Sequence, residues 1–177
     1  MKTPKIKRYR LGVSRTFPTT HPKKGKPTYF IEKIQLSLNL LIEAPGDFII
    51  DLDPKLHTCR ANYTLWEKRM TEVQAGRAVI ELFYWSGKPY HKDENGIGQV
   101  VFATLDKDSG CGVQELSFYH NGDGTFYLEQ PVTDTGDIDV LELCKNDGLS
   151  LEDFEEWFNG YDLSKPMAII HFTSFRY

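Results

Sequence analysis

The stretch Pro54-Lys55-Leu56-His57-Thr58-Cys59-Arg60-Ala61-Asn62 decides how this chain is read. It follows the apolar run Phe48-Ile49-Ile50 and precedes a helix-like segment that opens near Asn62 or Thr64. In an extended segment, side chains two apart share a face. Leu56, Thr58 and Arg60 then fall on one face. Lys55, His57 and Cys59 fall on the other, unless a turn at Pro54 re-aims Lys55. The stretch therefore offers a hydroxyl beside a guanidinium, with an amine and an imidazole close by.

Upstream of it, residues 6–12 read as a short strand, and Gly12 to Gly25 as a loop rich in Pro, Thr and Lys. Pro27 suits a first helical turn. Phe30, Ile34, Leu38 and Leu41 recur at helical spacing up to Ile42, where Ala44-Pro45-Gly46-Asp47 stops the pattern. Phe48 to Leu52 reads as a strand. Downstream, a helix is expected from about Tyr63 to Ala75, with Leu65, Trp66, Met70 and Val73 apolar and Gly76 as its cap.

Ala78 to Trp85 is the strongest strand in the chain, and Gln99 to Leu105 is another. Val113 to His120 and Thr125 to Gln130 flank Asn121-Gly122-Asp123-Gly124, a hairpin signal. Ile138 to Lys145 reads as a helix with Leu141 and Cys144 inward. Ser150 caps a last helix that buries Leu151, Phe154, Trp157 and Phe158 and ends at Gly160. Met167 to Phe172 closes the chain as a buried strand. Strands and helices do not alternate regularly, which indicates α+β, a mostly antiparallel barrel-like sheet with helices packed around it. No GxGxxG or GxxxxGK[ST] motif is present, which disfavours a doubly wound nucleotide fold.

The 177 residues fit one domain, with a formal net charge of -4 that does not pull the whole molecule to nucleic acid. The charge is uneven. Residues 1–26 carry Lys2, Lys5, Lys7, Arg8, Arg10, Arg15, Lys23, Lys24 and Lys26 and no acid, while Asp134 to Asp162 is strongly acidic. The basic segment is either a phosphate-facing edge or an arm against the protein's own acidic helices. Cys59, Cys111 and Cys144 form no CxxC pair, which points to a reducing, cytoplasmic setting and away from structural zinc. No metal ligand spacing, cofactor motif or membrane span is read from the sequence.

Two segments resemble the ASCH family of the PUA-like superfamily, small β-barrel domains linked to RNA. One is Lys55-Leu56-His57-Thr58-Cys59-Arg60, similar to a Lys-x-x-Thr-x-Arg that follows the first long helix of ASCH domains. The other is Lys145-Asn146-Asp147-Gly148-Leu149-Ser150-Leu151-Glu152-Asp153-Phe154, similar to their acidic residue, turn and capped helix before the last strand. The resemblance covers about half the chain. It implies a single ASCH/PUA-like domain over 1–177, with a basic N-terminal extension (about 1–26) and a β-hairpin insertion (about 87–135). It is also distantly similar to bacterial N4-acetylcytidine amidohydrolases. By that likeness the catalytic set is Lys55, Thr58 and Asp147, with Asp147 one methylene shorter than the family's Glu.

The expected function is binding of RNA or a modified nucleoside in a cleft around Lys55–Arg60. Arg60, His57, Trp85, Lys88 and Arg15 are the candidate ligand-binding residues, and Lys23 and Lys24 would also meet phosphate. The alternatives are amide hydrolysis, with Thr58 as nucleophile and a desolvated Lys55 as base, and a protein-interaction domain without a ligand site. Each residue also has a plain structural role available. Arg60 and Asp147 suit an ion pair, Thr58 is a good strand residue, Asp147 a turn residue, and His57 and His171 ordinary polar or core histidines. Tyr84, Trp85 and Tyr90 suit either base stacking or strand-end packing.

Overall fold

A computed structural model of the chain describes residues 6–40 and 52–177. The expected strand at Phe48–Leu52, apart from Leu52, lies outside the described residues, as do Lys2 and Lys5. The first helix, expected up to Ile42, ends at Ser37, where Leu38 caps it and Asn39 turns at φ +54°. The apolar run Ala78–Trp85 forms β3, the centre of a three-stranded sheet. β1 (Lys7–Gly12) lies parallel to it on one side, and β4 (Gln99–Leu105) antiparallel on the other. A parallel neighbour requires a long crossover, here made by α1 (Phe30–Ser37), β2 (His57–Ala61) and α2 (Tyr63–Gln74).

The second sheet has the order β2-β8-β5-β6-β7, all antiparallel. Its other strands are β5 (Gly112–His120), β6 (Phe126–Thr133), β7 (Gly136–Asp137) and β8 (Met167–His171). The architecture is α+β with mostly antiparallel sheets. Among the described residues no ladder joins the two sheets, so the barrel-like sheet expected from the sequence is here a pair of sheets. α2 bridges them instead, packing on β3 of one and on β5 and β8 of the other. Residues 87–135 supply β4, β5 and β6. β5 is internal, pairing with β8 through Gly112–Leu116 and with β6 through Ser117–His120.

Local chemistry accounts for the helix boundaries. The Asn62 carboxamide accepts from the Leu65 amide and starts α2, which buries Trp66, Met70 and Val73 on one stripe. Leu65, expected inward, is exposed because it falls one residue off that stripe. α3 (Val140–Asn146) is capped by Asp139, and α4 (Leu151–Phe158) by Ser150, whose hydroxyl accepts from the Asp153 amide. α3 buries Leu143 and Cys144; Leu141, expected inward, is 61% exposed. A seven-residue helix has only one inward turn, and register with Leu143 turns Leu141 out.

Among the described residues of the basic N-terminal segment, Lys7, Arg8, Arg10 and Lys23 pair with the protein's own acids: Arg8 and Arg10 with buried Glu81, Lys7 with Glu72, and Lys23 with Asp153 at 2.7 Å. Residues 15–28 form an ordered loop closed by a Thr16–Pro27 bridge. Phe17 and His21 from this loop stack at 4.5 Å, and Phe17 packs on Trp157 of α4. No described helix is long and apolar enough to cross a membrane.

Candidate functional site

Among the described residues β2 pairs with β8 alone and lies at the sheet's edge. Its other edge would leave backbone groups unpaired, and the turn between α3 and α4 covers that edge. The Leu56 amide donates to the Asn146 carbonyl at 2.8 Å, and the Cys59 amide to Asp147 Oδ1 at 3.0 Å. Gly148 adopts φ +78°, the left-handed conformation that glycine favours, and reverses the chain between the two helices. That reversal delivers the Asp147 carboxylate to the start of β2.

Asp147 gathers the face that parity assigned to Lys55, His57 and Cys59. Its Oδ1 lies 3.0 Å from Lys55 Nζ and 3.5 Å from His57 Nδ1. Lys55 also donates to the Asp147 carbonyl and rests 4.3 Å above the Phe30 ring. Lys55, His57 and Asp147 are all buried. Burial lowers the Lys55 pKa, with Asp147 opposing; burial likewise lowers that of His57. Burial pushes the Asp147 carboxyl up, but Lys55 and His57 outweigh it and hold the group below its ordinary value. The result is an ionised carboxylate in a dry setting with a lysine as its counter-charge.

The hydrogen bonds continue beyond Asp147. Asn146 Nδ2 donates to the Tyr177 hydroxyl at 3.1 Å, and that hydroxyl lies 2.8 Å from His57 Nε2. If the hydroxyl proton goes to Nε2, Nδ1 carries the imidazole proton and faces Asp147. His171 sits opposite His57 in the β2–β8 register with ring centroids 5.5 Å apart. It is fully buried and neither of its ring nitrogens has a partner among the described residues. Burial, with help from His57 and Arg176, pushes its pKa down to about 2.

Thr58 and Arg60 share the opposite face, as strand parity requires. Arg60 Nη1 donates to Thr58 Oγ1 at 2.8 Å, and Nη2 to the Gly12 carbonyl at 2.8 Å. Asp147 therefore pairs with Lys55, and the Arg60–Asp147 ion pair suggested by the sequence does not form. Of the Lys55, Thr58 and Asp147 set, the fold joins Lys55 to Asp147 and sends the Thr58 hydroxyl to Arg60.

His57, Cys59 and Asp147 do place one N, one S and one O ligand atom within 4.8 Å of one another. Such a trio can coordinate a metal. Here Lys55 already supplies positive charge to the carboxylate, and burial raises the Cys59 thiol well above its ordinary value. Burial also raises the thiols of Cys111 to about 11 and Cys144 to about 12, so no cysteine is a ready thiolate.

The open surface lies beside this buried cluster. A groove of about 920 Å³ runs between the segment after β1 and the end of β3, with Arg15, Tyr29, Glu32, Trp85 and Tyr90 in its walls. Trp85 and Tyr90 pack at 5.1 Å, and Tyr90 is 87% exposed with φ +66°. Arg15 donates to the Ser86 carbonyl at 3.1 Å and lies 5.4 Å from the Tyr84 ring. Arg15 and Trp85 thus meet in one groove, which Lys55 and Thr58 do not line. Lys88 is exposed on the adjoining turn and does not line it.

A second cavity of about 560 Å³ shares Phe17, Pro27 and Tyr29 with the groove and is lined by Lys23, Lys26, Lys33 and Lys145. Gly148 separates it from Lys55: a Cβ there would stand 3.4 Å from both Lys33 Cδ and Lys55 Cδ. Sequence reasoning missed Lys33, Glu32, Asn146 and Tyr177. Lys33 and Glu32 look like ordinary exposed helix residues, and Asn146 and Tyr177 acquire meaning only by closing on β2. No protein-family model matches the sequence, and no curated protein or solved structure matches it.

Proposed function

We propose that this chain is an ASCH-like domain of the PUA-like type that binds RNA or a modified nucleoside. The observation that carries the reading is the groove joining Trp85 and Tyr90 with Arg15 and Glu32. The exposed Tyr90 ring beside half-buried Trp85 offers a stacking surface to a base. Arg15 supplies donors and Glu32 an acceptor for the base edge, a combination an apolar peptide would not need. The groove adjoins the Lys55–Arg60 stretch through Arg60, whose guanidinium holds the Gly12 carbonyl at its rim. The buried cluster then holds the groove's walls in place. The test is equilibrium binding of cytidine, N4-acetylcytidine and a short unstructured RNA to the wild type and to Trp85→Ala. Binding that the variant loses supports the reading.

One observation favours the amidohydrolase alternative: burial lowers the pKa of Lys55 beside Asp147, the direction a lysine base requires. Against it stand the burial of Lys55, Thr58 and Asp147 and the engagement of the Thr58 hydroxyl by Arg60. Release of acetate from N4-acetylcytidine, with Lys55→Ala as control, tests this reading directly.

A further inference from the structure

We infer that the cavity formed by Lys23, Lys26, Lys33 and Lys145 is a phosphate subsite, so that the preferred ligand is a phosphorylated nucleoside and not the free nucleoside. The inference rests on the nucleoside-binding reading of the adjoining groove and assigns the ligand's second half.

Charge supplies the first argument. Four lysines line the cavity against two acids, Asp53 and Asp153, a surplus of two positive charges. Asp153 is matched by Lys23 at 2.7 Å, and Asp53 lies 3.6 Å from Lys145. Lys26 and Lys33 remain without a carboxylate among the described residues. Cations gathered around one concavity raise the local potential for an anion.

Lys33 supplies the second argument. Its stem runs along Gly148, it is only partly exposed, and its ammonium donates to the Gly148 carbonyl at 2.8 Å. A partly dehydrated ammonium with one neutral acceptor keeps donors for a further partner. Burial lowers its pKa, and nearby carboxylates only partly offset this; an incoming phosphate would restore the charged form.

Position supplies the third. The cavity meets the start of α4, where Gly148, Leu149 and Ser150 form part of its wall. The shared wall of Phe17, Pro27 and Tyr29 places the cavity beside the aromatic groove. Lys26 precedes the shared Pro27 and Lys33 follows the groove's Glu32, so a base stacked on Trp85 and Tyr90 would set its phosphate on that side.

The experiment compares cytidine, cytidine 5′-monophosphate, inorganic pyrophosphate and a short RNA with either a 5′-hydroxyl or a 5′-phosphate. Affinities are measured by calorimetry for the wild type, Lys26→Gln and Lys33→Gln, with thermal unfolding as the folding control. Lys26 is exposed, so its variant remains informative if Lys33→Gln unfolds. The expected result is at least tenfold tighter binding of the monophosphate than of cytidine, with most of that gain lost in either variant. A gain confined to the 5′-phosphorylated RNA assigns a terminal phosphate. An equal gain with the 5′-hydroxyl RNA assigns an internal phosphodiester. Cytidine binding with no gain from phosphate overturns the inference and leaves the groove reading intact. Pyrophosphate binding that Lys33→Gln abolishes, without any nucleoside binding, supports the anion subsite while removing the nucleoside reading. No binding of any phosphate-bearing probe overturns the inference.

Discussion

Replacing Lys55 with Met should cost the fold about 3–5 kcal/mol, the usual penalty for leaving one member of a buried ion pair alone. Lys55 Nζ and Asp147 Oδ1 are 3.0 Å apart, and both side chains are buried. At an effective dielectric of about 20, their attraction is roughly 5 kcal/mol. Taking two charges out of water costs several kcal/mol per ion, so the pair's net contribution is small. Methionine keeps the apolar stem against Phe30 but strands the Asp147 carboxylate, still tied to the Cys59 amide. Asp147→Asn strands the ammonium. The double variant Lys55→Met/Asp147→Asn removes both charges and should be at least about 2 kcal/mol more stable than the sum of the single losses implies. Urea denaturation of the four proteins at pH 7 reads this coupling. A further signature separates charge from packing. The lone Lys55 of Asp147→Asn resists protonation in the fold, whereas the unfolded chain binds the proton up to its ordinary pKa near 10.5. Stability of that variant should therefore recover as pH rises towards 10. Single losses that add within about 0.5 kcal/mol, with no recovery in alkali, would refute the ion-pair reasoning.

Three further outcomes are expected. His171 is held neutral, with its pKa near 2 against an ordinary 6.5, so it favours the fold above pH 6.5 and loses that advantage as acid protonates the unfolded chain. Urea midpoints should fall between pH 7 and pH 5 by an amount equivalent to about 2 kcal/mol from this residue, and His171→Phe should flatten that slope. Ser150→Ala removes the acceptor for the Asp153 amide and should cost about 1 kcal/mol by thermal or chemical unfolding. Gly148→Ala forces a Cβ into φ +78° against Lys33 and Lys55, and should cost about 1–2 kcal/mol, seen as a lower urea midpoint.

Much of the fold was legible because its signals are local. Hydrophobic alternation found β3, turn residues found the β5–β6 hairpin, and Asn62 and Ser150 mark helix starts by their capping chemistry. Parity in the Lys55–Arg60 stretch separated its two faces before any partner was known. The identity of each partner was not legible. Asp147 lies 92 residues from Lys55 along the chain, and only the turn between α3 and α4 brings it to that face rather than to Arg60. The division into two sheets was hidden for the same reason, since pairing between distant strands has no local signal. The Lys55–Arg60 cleft was expected because its residues are chemically rich, yet the fold buries most of that chemistry. The open groove instead takes its character from Arg15, Glu32, Trp85 and Tyr90, which converge from three separate segments.

The most direct test of the nucleoside-binding role proposed for the groove is titration of a short unstructured RNA into the wild type and into Trp85→Ala/Tyr90→Ala at fixed salt. Stacking on one aromatic side chain contributes about 1–3 kcal/mol per base, so the double variant should bind at least about tenfold more weakly while unfolding at the same temperature. No binding by the wild type, or equal binding by both proteins, would contradict the assignment of the groove to a base.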